Sequence, residues 1–133
     1  MVFITSLGPG YGGQLGETTW PGVVVVDAND YSVVAATNFD MTSEGWTDVF
    51  EPHGLGVSMD GKWIYLPSGD GRDNGRLLII NARTLKLDKI IKTRGRPHHA
   101  KCFKDADGNE RVLAYGWEQP PFVMDPADDN RVV

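Results

Sequence analysis

The residues with most capacity for chemistry in this chain are its three histidines, His53, His98 and His99. Neutral imidazole is a good ligand for copper and zinc, so histidines that converge in space can hold a metal ion. Their sequence settings are alike: His53 lies in Pro52-His53-Gly54-Leu55, and the pair lies in Pro97-His98-His99-Ala100, 45 residues further on. Each setting leads through an Asp-Gly dipeptide, Asp60-Gly61 or Asp107-Gly108, to an apolar run, Trp63 to Leu66 or Val112 to Tyr115. Asp-Gly between two such runs is a strong hairpin signal, because glycine accepts the positive φ of the tight turn. All three histidines therefore fall on one recurring structural position. The plainer reading is that each caps a strand and hydrogen-bonds backbone.

Charge adds a second feature close by. Arg83, Lys86, Lys89, Lys92, Arg94, Arg96, Lys101 and Lys104 place eight of the thirteen Lys and Arg residues in one short segment, opposed there only by Asp88. Lysines on an outer strand also guard a sheet edge against pairing. The alternative is an anion funnel, with Arg94 and Arg96 steering a charged substrate or an acidic partner toward the histidines. Other motifs are weaker. Gly69 to Gly75 reads as a hairpin loop, Asp105 to Glu110 as a turn without calcium-loop spacing, and Gly8 to Gly13 as a loop. Cys102 sits in an alternating strand, Ala100 to Phe103, with no sign of activation.

The elements that must position these side chains are strands. Val23-Val24-Val25-Val26-Asp27, Leu77-Leu78-Ile79-Ile80-Asn81 and Phe122-Val123-Met124-Asp125 are one apolar run ending in an Asx turn, recurring at offsets of 54 and 44 residues. No stretch carries a 3.6-residue apolar period, and Thr84 to Lys92 also reads as a strand. About ten strands result, in groups of four at the spacing of β-propeller repeats, which run about 40 to 50 residues. The fold expected is all-β, with blades of four-stranded antiparallel sheet and portions of about residues 1–50, 51–95 and 96–133 in one partial domain. A β-sandwich with coincidental similarity is the alternative.

In blade order the Pro-His strand is innermost, Trp63 to Leu66 second, Leu77 to Ile80 third and Leu87 to Lys92 outermost. Val2 to Thr5 then enters as a second strand, and Arg131 to Val133 barely starts a fourth. About two and a half blades do not close a ring of roughly 4 to 8. Further blades from other copies or other chains are therefore the expected partners, in a homo-oligomer or a stable complex. The apolar runs should be buried on both faces by neighbouring blades, which explains why they do not alternate.

Composition removes several classes. The chain has 133 residues and a net charge of −5, which argues against nucleic acid as a bulk partner. A single cysteine excludes an internal disulfide and a thiolate metal cage. No apolar run approaches the roughly 18 residues of a membrane span, and the first residues lack the pattern of a signal peptide.

The segments Thr37-Asn38-Phe39, Gly45-Trp46, Pro52-His53-Gly54, Asp60 to Leu66, Leu87 to Ile91 and Pro97-His98-His99 together resemble the N-terminal propeller of nitrous-oxide reductase. Related copper propellers include thiocyanate dehydrogenase, and the blade-like parts are shared with generic YVTN-type propellers. The resemblance covers about residues 20 to 118. It implies a copper-dependent oxidoreductase, with His53 as one member of the family's histidine pair and His98 or His99 as the later ligand. It also implies export to the periplasm or beyond. The chain departs from the family in carrying one histidine at the first position and two at the second, so other ligands would come from further blades. The rival expectation is a non-catalytic propeller scaffold that binds a partner protein, with structural histidines.

Overall fold

The computed structural model describes residues 2–6, 21–44, 54–68, 75–117 and 119–133, with the backbone alone for residues 2–6, Ser68 and Gln119. His53, the Gly8 to Gly13 stretch and residues 69–74 lie outside the described residues.

The described chain is all-β and forms three antiparallel sheets. Sheet 1 contains β1 (Val2–Ser6), β2 (Gly22–Val26) and β3 (Val33–Asn38). A 3-10 turn, Thr42–Glu44, follows it. Sheet 2 is the meander β4 (Gly56–Val57), β5 (Trp63–Ser68), β6 (Gly75–Asn81) and β7 (Leu87–Thr93). Sheet 3 repeats that order with β8 (Arg96–Lys104), β9 (Glu110–Trp117), β10 (Gln119–Asp125) and β11 (Arg131–Val132).

The turns follow from their residues. Gly61 and Gly108 have φ of 71° and 83°, the conformation for which Asp-Gly is suited. The Asx residues that end the apolar runs cap the next turn. Asp27 accepts from the Asn29 amide at 2.7 Å, Asn81 from Arg83 at 3.0 Å, and Asp125 from Ala127 at 2.9 Å. Four residues after each of these, Tyr31, Leu85 and Asp129 take positive φ, so one turn geometry recurs three times. This turn also corrects the strand expected from Thr84: Leu85, at φ 55°, donates its amide to the Asn81 carbonyl, and pairing with β6 begins only at Leu87.

The sheets stack face to face with sheet 2 in the middle. Val23 and Val25 of sheet 1 pack with Ile64, Leu66, Leu78 and Ile80. From the opposite face of sheet 2, Tyr65, Leu77 and Ile79 pack with Ala100, Val112, Ala114 and Met124 of sheet 3. Leu77 to Ile80 are fully buried on both faces, as their unbroken apolar run predicts. Phe122 and Val123 depart from that expectation and are only half-buried: Phe122 packs at the margin of the core shared with sheet 2, and Val123 points to the far face of sheet 3, which no described sheet covers.

Polar contacts tie the layers together. Arg76 of β6 lies 3.5 Å from Glu44 of the 3-10 turn, and Lys92 lies 3.7 Å from the same carboxylate. Tyr65, fully buried on sheet 2, donates its hydroxyl to Oδ1 of the buried Asn130 on sheet 3, at 2.7 Å. Burial holds that phenol protonated, with the Cys102 thiol and the Glu110 and Asp60 carboxylates pushing the same way. Replacing Tyr65 by Phe leaves Asn130 buried without this donor, and should lower stability by about 1–3 kcal/mol in urea unfolding.

Candidate functional site

The two described histidines are adjacent in β8, and in a regular strand their side chains would point to opposite faces. A β-bulge prevents that. Pro97 pairs with Gly116 and His99 with Tyr115, so His98 is the extra residue of the strand. A bulge re-aims a side chain and tightens the local twist. Here it brings Nδ1 of His98 within 3.1 Å of Nε2 of His99, with ring centroids 4.8 Å apart and ring planes at 69°.

Two glycines, Gly116 on β9 and Gly54 just before β4, make room for this arrangement. A Cβ on Gly116 would overlap the Arg96 carbonyl oxygen and come within 2.6 Å of the His98 amide nitrogen. Gly54 approaches from the sheet 2 side: its amide donates to the His98 carbonyl at 2.7 Å, and its carbonyl accepts from the Ala100 amide at 2.9 Å. These bonds form a parallel bridge between Gly54 and His99. A Cβ on Gly54 would overlap Nδ1 of His99, so the backbone there lies against the imidazole. The residue that follows His53 in sequence is thereby hydrogen-bonded to the strand carrying His98 and His99. His53 itself lies outside the described residues.

Aromatic rings from β9 complete the surroundings. The Trp117 ring lies 4.6 Å from that of His98 at 30°, and Tyr115 stacks on His99 at 5.2 Å and 29°. Both histidines are half-buried, whereas Trp117 is 62% exposed, so the cluster opens to solvent on the indole side. Gly54, Tyr115, Gly116 and Trp117 were not candidates from sequence. The available signal was Tyr115-Gly116-Trp117 itself, a glycine between two aromatics opposite the Pro-His segment.

The remaining candidates separate from this cluster or support it only by register. Arg96 pairs with Trp117 two residues before His98. Arg94 is exposed and precedes β8. Lys89 and Lys92 of the cationic segment engage Asp129 at 2.6 Å and Glu44 at 3.7 Å, as an outer strand with local ion pairs would. Cys102 is half-buried, and burial, with the Glu110 and Asp60 carboxylates, pushes its thiol up to about 12. That thiol stays protonated and is a poor nucleophile. The Asp105 to Glu110 segment is a turn: the Asp105 carboxylate accepts from the Asp107 and Asn109 amides at 3.0 and 2.9 Å. Arg111 joins it to Asp125, at 3.1 and 3.0 Å.

Among the described residues, no group of three or more His, Cys, Asp or Glu side chains gathers to hold a metal ion. The cluster therefore contributes two imidazoles. No helix among the described residues is long and apolar enough to cross a membrane. No protein-family model matches the chain, and no curated protein matches it.

Proposed function

We propose that the chain is a set of β-propeller blades whose inner strands carry a copper-binding histidine site, as part of an oxidoreductase of the nitrous-oxide reductase-like type. The observation that carries this reading is the bulge that sets two ring nitrogens 3.1 Å apart. Nitrogens bound to one ion each lie about 2.0–2.1 Å from it, so a separation of this size suits two ligands of a single metal. The stacked four-stranded meanders support blades, and the parallel bridge from Gly54 to β8 supports inner strands that meet at a hub.

His98 and His99 are the ligands on β8, and His53 on the neighbouring inner strand is the third. Further ligands and blades come from other copies or other chains. Copper is preferred over zinc on the affinity order of imidazole sites. When bound, it supplies one-electron redox chemistry. Trp117 and Tyr115 hold the imidazoles by stacking and shield their faces from water, while Arg94 and Arg96 attract an anionic substrate to this end of the sheet. For ligation, the proton shared between His98 Nδ1 and His99 Nε2 must move to the far nitrogen of its own ring.

One observation favours a second reading. The same 3.1 Å separation is that of an N–H···N hydrogen bond, and the two imidazoles among the described residues are fewer than a closed metal site needs. A non-catalytic scaffold with structural histidines has that arrangement as well.

Copper titration of the purified protein, followed by Trp fluorescence and metal analysis, distinguishes the two. Stoichiometric binding is expected, with an oligomeric or partner-bound mass by light scattering. Ligation needs neutral imidazole, so protons compete with the metal and binding should weaken as pH falls. The double variant His53→Ala/His98→Ala should lose binding and keep its fold. Absence of stoichiometric copper at neutral pH would leave the scaffold.

A further inference from the structure

A cavity of about 260 Å³ lies between the end of β7 of sheet 2 and strands β10 and β11 of sheet 3, two strands across from the β8 histidines. Ile91, Pro120, Pro121, Phe122 and Val132 give it an apolar lining, Lys92, Thr93 and Arg94 line the remainder, and it is open to solvent. The strand pairing explains the gap. β11 pairs with β10 at Met124 and Asp125, so the outer edge of β10 before Phe122 has no partner strand among the described residues. Pro120 and Pro121 have no amide hydrogen, so this edge is poorly suited to accept an added strand. What it offers is a surface of proline rings and a phenyl ring.

The charge at the rim is unequal. Lys92 is engaged with Glu44 at 3.7 Å. Arg94 is exposed, makes no ion pair among the described residues, and no described carboxylate lines the cavity. An apolar wall facing one available guanidinium selects a ligand with an apolar body and a single anionic head. Size narrows the class further: an apolar cavity of about 150 Å³ takes up benzene, so 260 Å³ accommodates one ring with a short acidic arm. A carboxylate matches the planar fork of arginine with two parallel hydrogen bonds.

We propose that this pocket binds a small monocyclic aromatic carboxylate, its ring against Pro121 and Phe122 and its carboxylate on Arg94. The assignment shares Arg94 with the steering role proposed above, but it needs no bound copper, so it can fail or hold whatever the copper titration shows. The test is titration of 15N-labelled protein with phenylacetate, with 2-phenylethanol and acetate as the uncharged and ringless controls. Amide shifts are expected at Ile91, Thr93, Arg94, Phe122 and Val132. Each control should bind at least tenfold more weakly. Arg94→Gln, an exposed change that leaves the packing intact, should weaken phenylacetate about tenfold, Arg94→Lys should weaken it less, and added salt should reduce binding to the unmodified protein. The proposal is overturned by equal affinity for acid and alcohol, by an unchanged affinity in Arg94→Gln, by shifts confined to other residues, or by no saturable shift up to about 20 mM.

Discussion

Replacing Ile79 by alanine should destabilise the protein by about 2–5 kcal/mol, seen as a lower urea midpoint at unchanged slope. Ile79 is fully buried, and its neighbours come from two sheets: Tyr65 and Leu77 on its own, and Val112, Ala114 and Met124 across the interface. Removing most of its side chain costs the transfer free energy of the lost carbons and leaves a void. The strand that carries it is held in register with its neighbour by continuous pairing, from Trp63 with Asn81 through Ser68 with Arg76, so the layer cannot close over that void cheaply. Val123→Ala makes the contrast. That side chain is half-buried on the uncovered side of sheet 3, and its truncation should cost clearly less. Equal losses at the two positions would mean that sheet 2 is not the enclosed layer.

Gly116→Ala should have the largest effect on the histidine pair. Its added methyl meets the Arg96 carbonyl and the His98 amide, which are backbone and cannot swing aside as a side chain would. The strain can be relieved by parting β8 from β9, or by abolishing the bulge. Loss of the bulge returns His98 and His99 to opposite faces of β8. The expected result is a destabilisation on the order of 1–3 kcal/mol, with loss of the contact between the rings. Two-dimensional spectra of the imidazole nitrogens report that contact directly, and copper affinity should fall at least tenfold. A variant with normal stability and an unchanged pair of imidazole signals would show that the bulge does not hold the pair together.

The strand order was legible because each signal acts locally. Asp60-Gly61 and Asp107-Gly108 fix turns from within, and the Asx residues at Asp27, Asn81 and Asp125 do the same at the other hairpins. Unbroken apolar runs then marked layers covered on both sides, which held for Leu77 to Ile80. It held less well for Val123, since the covering layer is a property of the tertiary packing and not of the segment. The strand begun at Thr84 failed for a related reason: Leu85 takes a left-handed conformation that no side-chain preference announces, imposed by closure of the Asn81 turn. At the site, the histidines could be seen, but their mutual geometry could not. It depends on one extra residue in β8 and on a glycine in a different strand, and neither alters the apolar pattern from which register is inferred.

Enclosure of the middle sheet also constrains how the chain reaches its native state. Meanders zip over short sequence distances, so each hairpin can form early, whereas docking of layers must await chain closure over longer spans. Until both neighbours dock, β6 presents aliphatic side chains to water on two sides at once. A nascent chain held at that stage exposes Leu77-Leu78-Ile79-Ile80, an uncharged β-prone window of the kind that seeds intermolecular cross-β stacking. Arg76 and Arg83 bracket the window in sequence. Flanking charges of this kind oppose such stacking while Arg76 has not yet been drawn in against Glu44. Refolding yield should therefore fall steeply with protein concentration, and more steeply still once the positive charge at position 83 is removed.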